Sequence, residues 1–343
     1  MYKPKILLIY TGGTIGMVKN PENGALTPFD FDTILERIPE LKLLDCEIRT
    51  FSFDHPIDSS NMEPKYWVEI AEIVQFNYEE TDGFVVLHGS DTMSYSASAM
   101  SFIFKNLSKP VIFTGSQLPI GDLRTDAKEN LITSIHLASL QRDGVSVIQE
   151  VGLYFEYKLY RGNRTTKINA EHFEAFDSPN YPYLAESGVR LRVDEKMLLK
   201  HRNGGPLQIH KKLVTDIGVL KLFPGISKTI LQGVLSSKLF KGLIIETYGA
   251  GNATSSDWFI RSLDRAIRNG MKVINVTQCI GGSVRMGEYE TSSRLKDIGV
   301  ISGGDMTTEA AVTKLMIMLG MDIPDSEFKN AFETPIRGEI TEN

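Results

Sequence analysis

The chain has 343 residues, 42% of them hydrophobic, which is enough for two domains of ordinary size with buried cores and argues against a disordered chain. Its formal charge is -6, and the 37 Lys and Arg are scattered rather than clustered, so no basic footprint for nucleic acid is present. No apolar run approaches the roughly 20 residues that span a bilayer, Met1-Tyr2-Lys3-Pro4 leads straight into a strand with no room for a signal peptide, and Cys46 and Cys279 form no metal or redox spacing, so the expectation is a cytoplasmic protein with reduced thiols.

Lys5-Ile6-Leu7-Leu8-Ile9-Tyr10 predicts a buried strand, and Thr11-Gly12-Gly13-Thr14-Ile15-Gly16 is the loop that leaves it. Two glycines allow a sharp turn, and β-branched Thr14 is stiff about its first side-chain torsion. The loop therefore presents a held hydroxyl. Pro64 opens a helix in the place proline prefers, and Trp67, Ile70, Ala71, Val74 and Tyr78 recur along it at helical spacing as core packing. A second strand, Gly83-Phe84-Val85-Val86-Leu87, leads into His88-Gly89-Ser90-Asp91-Thr92 and a helix over residues 93–102.

A further strand over residues 110–114 precedes Gly115-Ser116-Gln117 and a helix over residues 127–140. Val151-Gly152-Leu153-Tyr154-Phe155 reads as a strand, and Tyr160-Arg161-Gly162-Asn163-Arg164-Thr165-Thr166-Lys167 as a polar segment after it. Residues 196–214 lose periodicity apart from a short strand at residues 207–210, which predicts a boundary: a first domain over residues 1–199, a linker over 200–214 and a second domain over 215–343. The second domain repeats the alternation, with strands at 217–220, 242–246 and 272–276, and a helix over 307–319 burying Val312, Leu315, Met316 and Leu319. Alternating strands and helices predict an α/β architecture with mostly parallel strands.

In such a sheet, ligands bind outside the carboxyl ends of the strands, so the hydroxyls of Thr14 and Thr92 are expected to share one crevice. Taken singly, Gly-Gly-Thr reads as a strand-to-helix turn and Ser-Asp-Thr as a helix cap. Together they point to an active site whose hydroxyl, to act as a nucleophile, needs a base. Lys167 is the candidate, since lysine loses its proton readily when desolvated or beside other cations; the alternative is an exposed basic turn. His88 reads as a structural residue bonded to backbone. TGGTIG lacks the spacing of a dinucleotide fingerprint and the ending of a P-loop, no Gly-x-Ser-x-Gly elbow occurs, and the six histidines show no His-Glu-x-x-His pairing. No metal or cofactor is expected.

The TGGTIG loop, HGSDT, the TGSQ-P turn at Thr114 to Pro119, RGNRTTK, the TQC loop at Cys279 and Ser302-Gly303-Gly304-Asp305-Met306-Thr307 together resemble the type I, cytoplasmic bacterial L-asparaginases from end to end. The resemblance implies two α/β domains, the larger amino-terminal one catalytic, and dimers that often pair into tetramers. It implies Thr14 as the nucleophile, with Thr92, Asp91 and Lys167 as second hydroxyl, carboxylate and lysine. Asp58, Ser59 and Ser60 match the loop that grips the substrate's α-carboxylate and α-amino groups, and Asn252 the residue a neighbouring subunit contributes. The implied reaction is hydrolysis of L-asparagine to L-aspartate and ammonia through a β-aspartyl-enzyme ester, with the Thr92 N–H stabilising the oxyanion and Lys167 serving Thr92 directly. Asp91 either binds the substrate's α-ammonium or orients Lys167 through Thr92.

Two positions depart from the family pattern. Asn23-Gly24-Ala25-Leu26 stands where some relatives carry a lid tyrosine, and Glu246 stands where allosterically activated members carry a basic residue, which implies weak or absent homotropic activation. The competing readings within the family are a broader glutaminase-asparaginase and an archaeal tRNA amidotransferase subunit, which carries an extra amino-terminal domain.

Overall fold

A computed structural model of the chain describes residues 2–19, 26–28, 38–199, 205–235 and 240–342. The expected lid segment Asn23-Gly24-Ala25 and linker residues 200–204 lie outside the described residues. The chain divides into two compact units, one of residues 1–178 and 182–209, the other of residues 179–181 and 210–343.

The first unit is built on an eight-stranded sheet. Its strands are β1 (Lys5–Tyr10), β2 (Glu47–Ser52), β3 (Gly83–Leu87), β4 (Val111–Thr114), β5 (Val151–Phe155), β6 (Lys158–Arg161), β7 (Ala185–Glu186) and β8 (Arg192–Val193), in the spatial order β8-β7-β6-β5-β4-β3-β1-β2. The five strands from β1 to β5 are parallel, and β6, β7 and β8 join antiparallel. All residues of β3, β4 and β5 are buried, as expected of parallel strands covered on both faces.

The order 2-1-3-4-5 within the parallel part is a doubly wound one. Connections from β1 lead to one side and those from β3 to the other, which opens a crevice between their carboxyl ends. The loops carrying Thr14 and Asp91 are those two exits.

Helix α1 (Pro64–Phe76) starts on proline and buries Trp67, Ile70, Ala71 and Val74, as the spacing predicts. Helix α2 (Met93–Ile103) is buried almost throughout; of its serines, Ser101 Oγ donates to Ala97 O at 2.8 Å within the helix and Ser98 Oγ reaches Gly162 O at 3.4 Å, while the buried Ser94 Oγ has no hydrogen-bond partner among the described residues. Helix α3 (Ala127–Ser139) follows β4. Between β5 and β6 the turn residues Glu156 and Tyr157 have φ of 45° and 70°, a conformation that usually takes Asn-Gly. The Glu156 N–H donates to Asn130 Oδ1 at 3.0 Å, helping to hold it.

The strand expected in the linker is present as Gln208–Ile209, but it pairs antiparallel with Phe104–Lys105. Backbone hydrogen bonding therefore draws it into the first unit.

The second unit holds a parallel four-stranded sheet in sequential order: β9 (Ile217–Lys221), β10 (Gly242–Thr247), β11 (Lys272–Thr277) and β12 (Ile301–Ser302). Helix α4 (Asp257–Arg268) packs Phe259, Ile260, Leu263 and Ala266 into a core with Leu243, Ile245 and Val273. Helix α5 (Thr308–Leu319) is capped by Thr307, whose side chain accepts from the Ala310 N–H. Its buried face includes Val312 and Leu315 but not Met316 or Leu319, which are half-buried. Lys314 is buried instead, paired with the buried Glu339.

Candidate active site

Three loops meet at the carboxyl ends of β1 and β3. Thr11 ties β1 to β3, its N–H and hydroxyl both donating to Leu87 O at 3.0 and 2.9 Å. The Ile57 N–H donates to Thr11 O at 2.7 Å, which brings in the segment from 57 to 61. Gly13 has φ +87°, and a Cβ there would sit 2.5 Å from the Gly89 nitrogen; a Cβ on Gly89 would sit 2.5 Å from Ser59 Oγ. The loops touch backbone to backbone, and only residues without side chains permit that approach. Thr14, half-buried, opens a single 3-10 turn to Gly16 directly after this contact.

Lys167 reaches the same place from the short strand Thr166–Lys167, which pairs with Phe176–Asp177. Its ammonium donates to Asp91 Oδ1 at 2.6 Å and to Ser90 Oγ at 2.9 Å. Its side chain is 16% exposed, whereas that of Asp91 is 64% exposed. The Ser90 hydroxyl in turn donates to Gln117 Oε1 at 3.1 Å.

The expected pairing of Lys167 with Thr92 is not what these contacts give. The Thr92 hydroxyl donates to Ser59 O at 2.8 Å, so it braces the neighbouring loop. The reason lies in the 3-10 turn Ser90–Thr92: with three residues per turn, side chains two apart point to different sides. Two hydroxyls flank Asp91 in the sequence, and only the turn geometry tells them apart. Ser90 and Gln117 are thus the two contacts that reading the residues missed. The signal for the first was present in Ser90-Asp91-Thr92, and that for the second in Ser116-Gln117.

Asp58 precedes the 3-10 turn Ser59–Asn61 and accepts from the Ser60 N–H at 2.9 Å, which holds its carboxyl below the ordinary range. Ser59 is buried, while Asp58 and Ser60 are exposed. Asn252 belongs to the second unit, where it forms a backbone bridge with Tyr248 after β10. Glu246, at the end of β10, accepts from the Thr308 hydroxyl at 2.7 Å and lies 3.9 Å from Lys221 Nζ. Cys46 and Cys279 are free thiols, and burial pushes Cys46 up to about 11. Among the described residues no group of His, Cys, Asp and Glu could hold a metal ion, and no helix is long and apolar enough to cross a membrane.

His88 lies behind the loop, fully buried, bonded through Nδ1 to Gly89 O at 2.7 Å and through Nε2 to Ser96 Oγ at 2.9 Å. Ser96 Oγ also accepts from Trp67 Nε1 at 2.9 Å. Desolvation pushes the His88 pKa from 6.5 down to about 4. The unfolded chain takes up this proton first, so stability is lost as pH falls from 6.5 toward 4, by about 3 kcal/mol from this group. Urea unfolding of the wild type and His88→Asn across that range is expected to show the shallower pH dependence in the variant. Equal slopes would show that the histidine titrates normally.

Residues 5–198 match the family model described as Asparaginase, N-terminal, and residues 216–332 match Glutaminase/Asparaginase C-terminal domain. L-asparaginase 1 of Escherichia coli (strain K12) is 41% identical over 342 residues, covering 99% of each chain. L-asparaginase I from Vibrio cholerae O1 biovar eltor str. N16961 has a similar structure, with a TM-score of 0.91 and 38% identity over 99% of this chain and 100% of that one. The thermostable L-asparaginase from Thermococcus kodakarensis gives a TM-score of 0.89 at 33% identity, again over 99% and 100% of the two chains. With both units matched in order and the loop exits of β1 and β3 in the expected crevice, the chain belongs to the asparaginase family of amidohydrolases.

Proposed function

We propose that the chain hydrolyses L-asparagine to L-aspartate and ammonia, with Thr14 as nucleophile. The observation that carries this reading is the junction of Gly13 with Gly89, which sets the Thr14 loop against the loop whose Ser90 and Asp91 hold Lys167. Thr14 Oγ bonds to the side-chain amide carbon as its proton passes to the base. The amide nitrogen gains a proton and leaves as ammonia, and water then adds to the β-aspartyl ester, releasing aspartate and restoring the Thr14 hydroxyl. Ser90, not Thr92, is the second hydroxyl in this scheme, and its oxygen accepts from Lys167 Nζ. Asp91 orients Lys167 and takes the substrate's α-ammonium on its exposed side. N–H groups of the 90–92 turn, Thr92 among them, face the oxyanion, each such donor being worth about 3 kcal/mol of barrier.

Asp58, Ser59 and Ser60 hold the α-carboxylate and α-amino groups. Asn252 completes the site of a neighbouring subunit, so the working form is a homodimer or a dimer of dimers. Residence is cytoplasmic. Glu246 puts a carboxylate where an effector's carboxylate would have to bind, so homotropic activation is weak or absent.

Ammonia release across concentration series of L-asparagine and L-glutamine tests the reading. Hyperbolic, asparagine-selective turnover is expected. Comparable glutamine turnover would favour the broader glutaminase-asparaginase, since one methylene is worth only about 1 to 3 kcal/mol of discrimination. A folded protein silent on both amides would overturn the assignment, and a strongly sigmoidal asparagine curve would overturn the argument from Glu246.

A further inference from the structure

Gln117 stands in the turn after β4 and touches both Ser90 and the segment that follows Lys167. Its Nε2 donates to His172 O at 3.0 Å and to Ala170 O at 3.3 Å. Both partners are carbonyls, which only accept, so the amide can face them only through its nitrogen. Oε1 must therefore be the atom that faces Ser90 Oγ at 3.1 Å. An amide oxygen only accepts, so the Ser90 hydrogen points to Gln117 and a Ser90 lone pair is left for the Lys167 ammonium at 2.9 Å. One side chain thus sets the direction of the Ser90 hydroxyl and tethers the chain three and five residues beyond Lys167.

The base from which Gln117 acts is itself fixed. The Asp126 carboxylate accepts from the Gln117 N–H at 2.9 and 3.2 Å and from the Leu118 N–H at 3.1 Å. Asn130 Nδ2 donates to Gly115 O at 3.0 Å and to Asp126 Oδ2 at 3.3 Å. The Ser116 hydroxyl donates to Leu118 O at 2.6 Å. A clamp aimed from a turn braced in this way has little freedom to follow a wandering hydroxyl.

We propose that Gln117 is a positioning residue for the amide hydrolysis: it acts through Ser90, drawing the hydroxyl hydrogen to itself so that a lone pair of the Ser90 oxygen stays turned to Lys167. The proposal rests on the reading of Lys167 and Ser90 given above.

The test is a double-mutant cycle on asparagine turnover, with Gln117→Met, Ser90→Ala and the pair, read at high enzyme concentration so that slow variants stay measurable. Gln117→Met keeps the length of the side chain and removes both ends of the clamp. Its kcat is expected to fall about 10- to 100-fold, the range that small misplacement of a catalytic group produces, with KM and the melting temperature nearly unchanged. On the Ser90→Ala background the same change is expected to cost less than about threefold, because residues that act as one unit are not additive.

A Gln117→Met enzyme with wild-type kcat, or losses that multiply in the double variant, would overturn the proposal while leaving the active-site reading intact. A fully active Ser90→Ala enzyme would instead overturn the reading on which the proposal rests. Should Gln117→Met fail to fold, Gln117→Ala, which also removes both ends of the clamp, enters the same cycle with the same criteria.

Discussion

Lys167→Met is expected to lower asparagine turnover by about a hundred- to ten-thousandfold, the span usual for loss of a positioned acid-base group, while the fold survives. Methionine keeps the aliphatic stem and removes the ammonium that donates to Ser90 Oγ and Asp91 Oδ1. The carboxylate left behind is 64% exposed, so water solvates it and no charge is stranded in the interior. Ammonia release should collapse while the melting temperature stays close to that of the wild type. Thr14→Ala, assayed alongside, should bind asparagine without turning it over. A fully active Lys167→Met enzyme would remove the lysine from the mechanism, and ammonia release by Thr14→Ala would remove the nucleophile.

Glu339→Ala is expected to destabilise the second unit by about 3 to 5 kcal/mol, the usual cost of stranding one member of a buried ion pair. Lys314 and Glu339 have fully buried side chains and pair directly. Lys314 Nζ also donates to Phe332 O at 2.7 Å and to Thr334 O at 2.9 Å. Glu339 further accepts from the N–H groups of Ile336 at 3.0 Å and Arg337 at 2.7 Å. Desolvation pulls the Lys314 pKa down and the Glu339 charge opposes it. Losing the carboxylate leaves a buried ammonium on two carbonyls and deprives two N–H groups of their acceptor. The double variant Lys314→Met/Glu339→Leu, which carries no charge there, should recover part of the loss. Urea unfolding reads both, and a cost below about 1 kcal/mol for Glu339→Ala would show that the charge is not confined as the burial implies.

The helix that carries Lys314 shows how far the sequence alone reaches. Its start at the Thr307 cap and the burial of Val312 and Leu315 follow from residue type and spacing. A lysine on its buried face does not, because its partner lies 25 residues on and meets it only when the carboxyl-terminal segment folds back. Strands β1, β3, β4, β5, β9, β10 and β11 and helices α1, α2, α3 and α5 were legible for the same local reasons: apolar runs of strand length, proline at the start of α1, and glycines where loops leave β1 and β3. The half-exposed β2, the antiparallel β6, β7 and β8, the short β12 and the amphipathic α4 were not read from the sequence. The family signature added the site as a set of residues.

Local sequence determined that Thr14 and Asp91 stand at strand exits, and that glycines flank the crossing. Only the tertiary structure decided that those exits adjoin, through the strand order 2-1-3-4-5, and that the loops are pressed backbone to backbone at Gly13 and Gly89. It also decided between the two hydroxyls beside Asp91, giving Ser90 to Lys167 and Thr92 to Ser59, because a 3-10 turn sends neighbouring side chains in different directions. Gln117 entered the site the same way. Residues far apart in the chain become partners only when the sheet sets the turn after β4 beside the loop after β3, and periodicity carries no record of that.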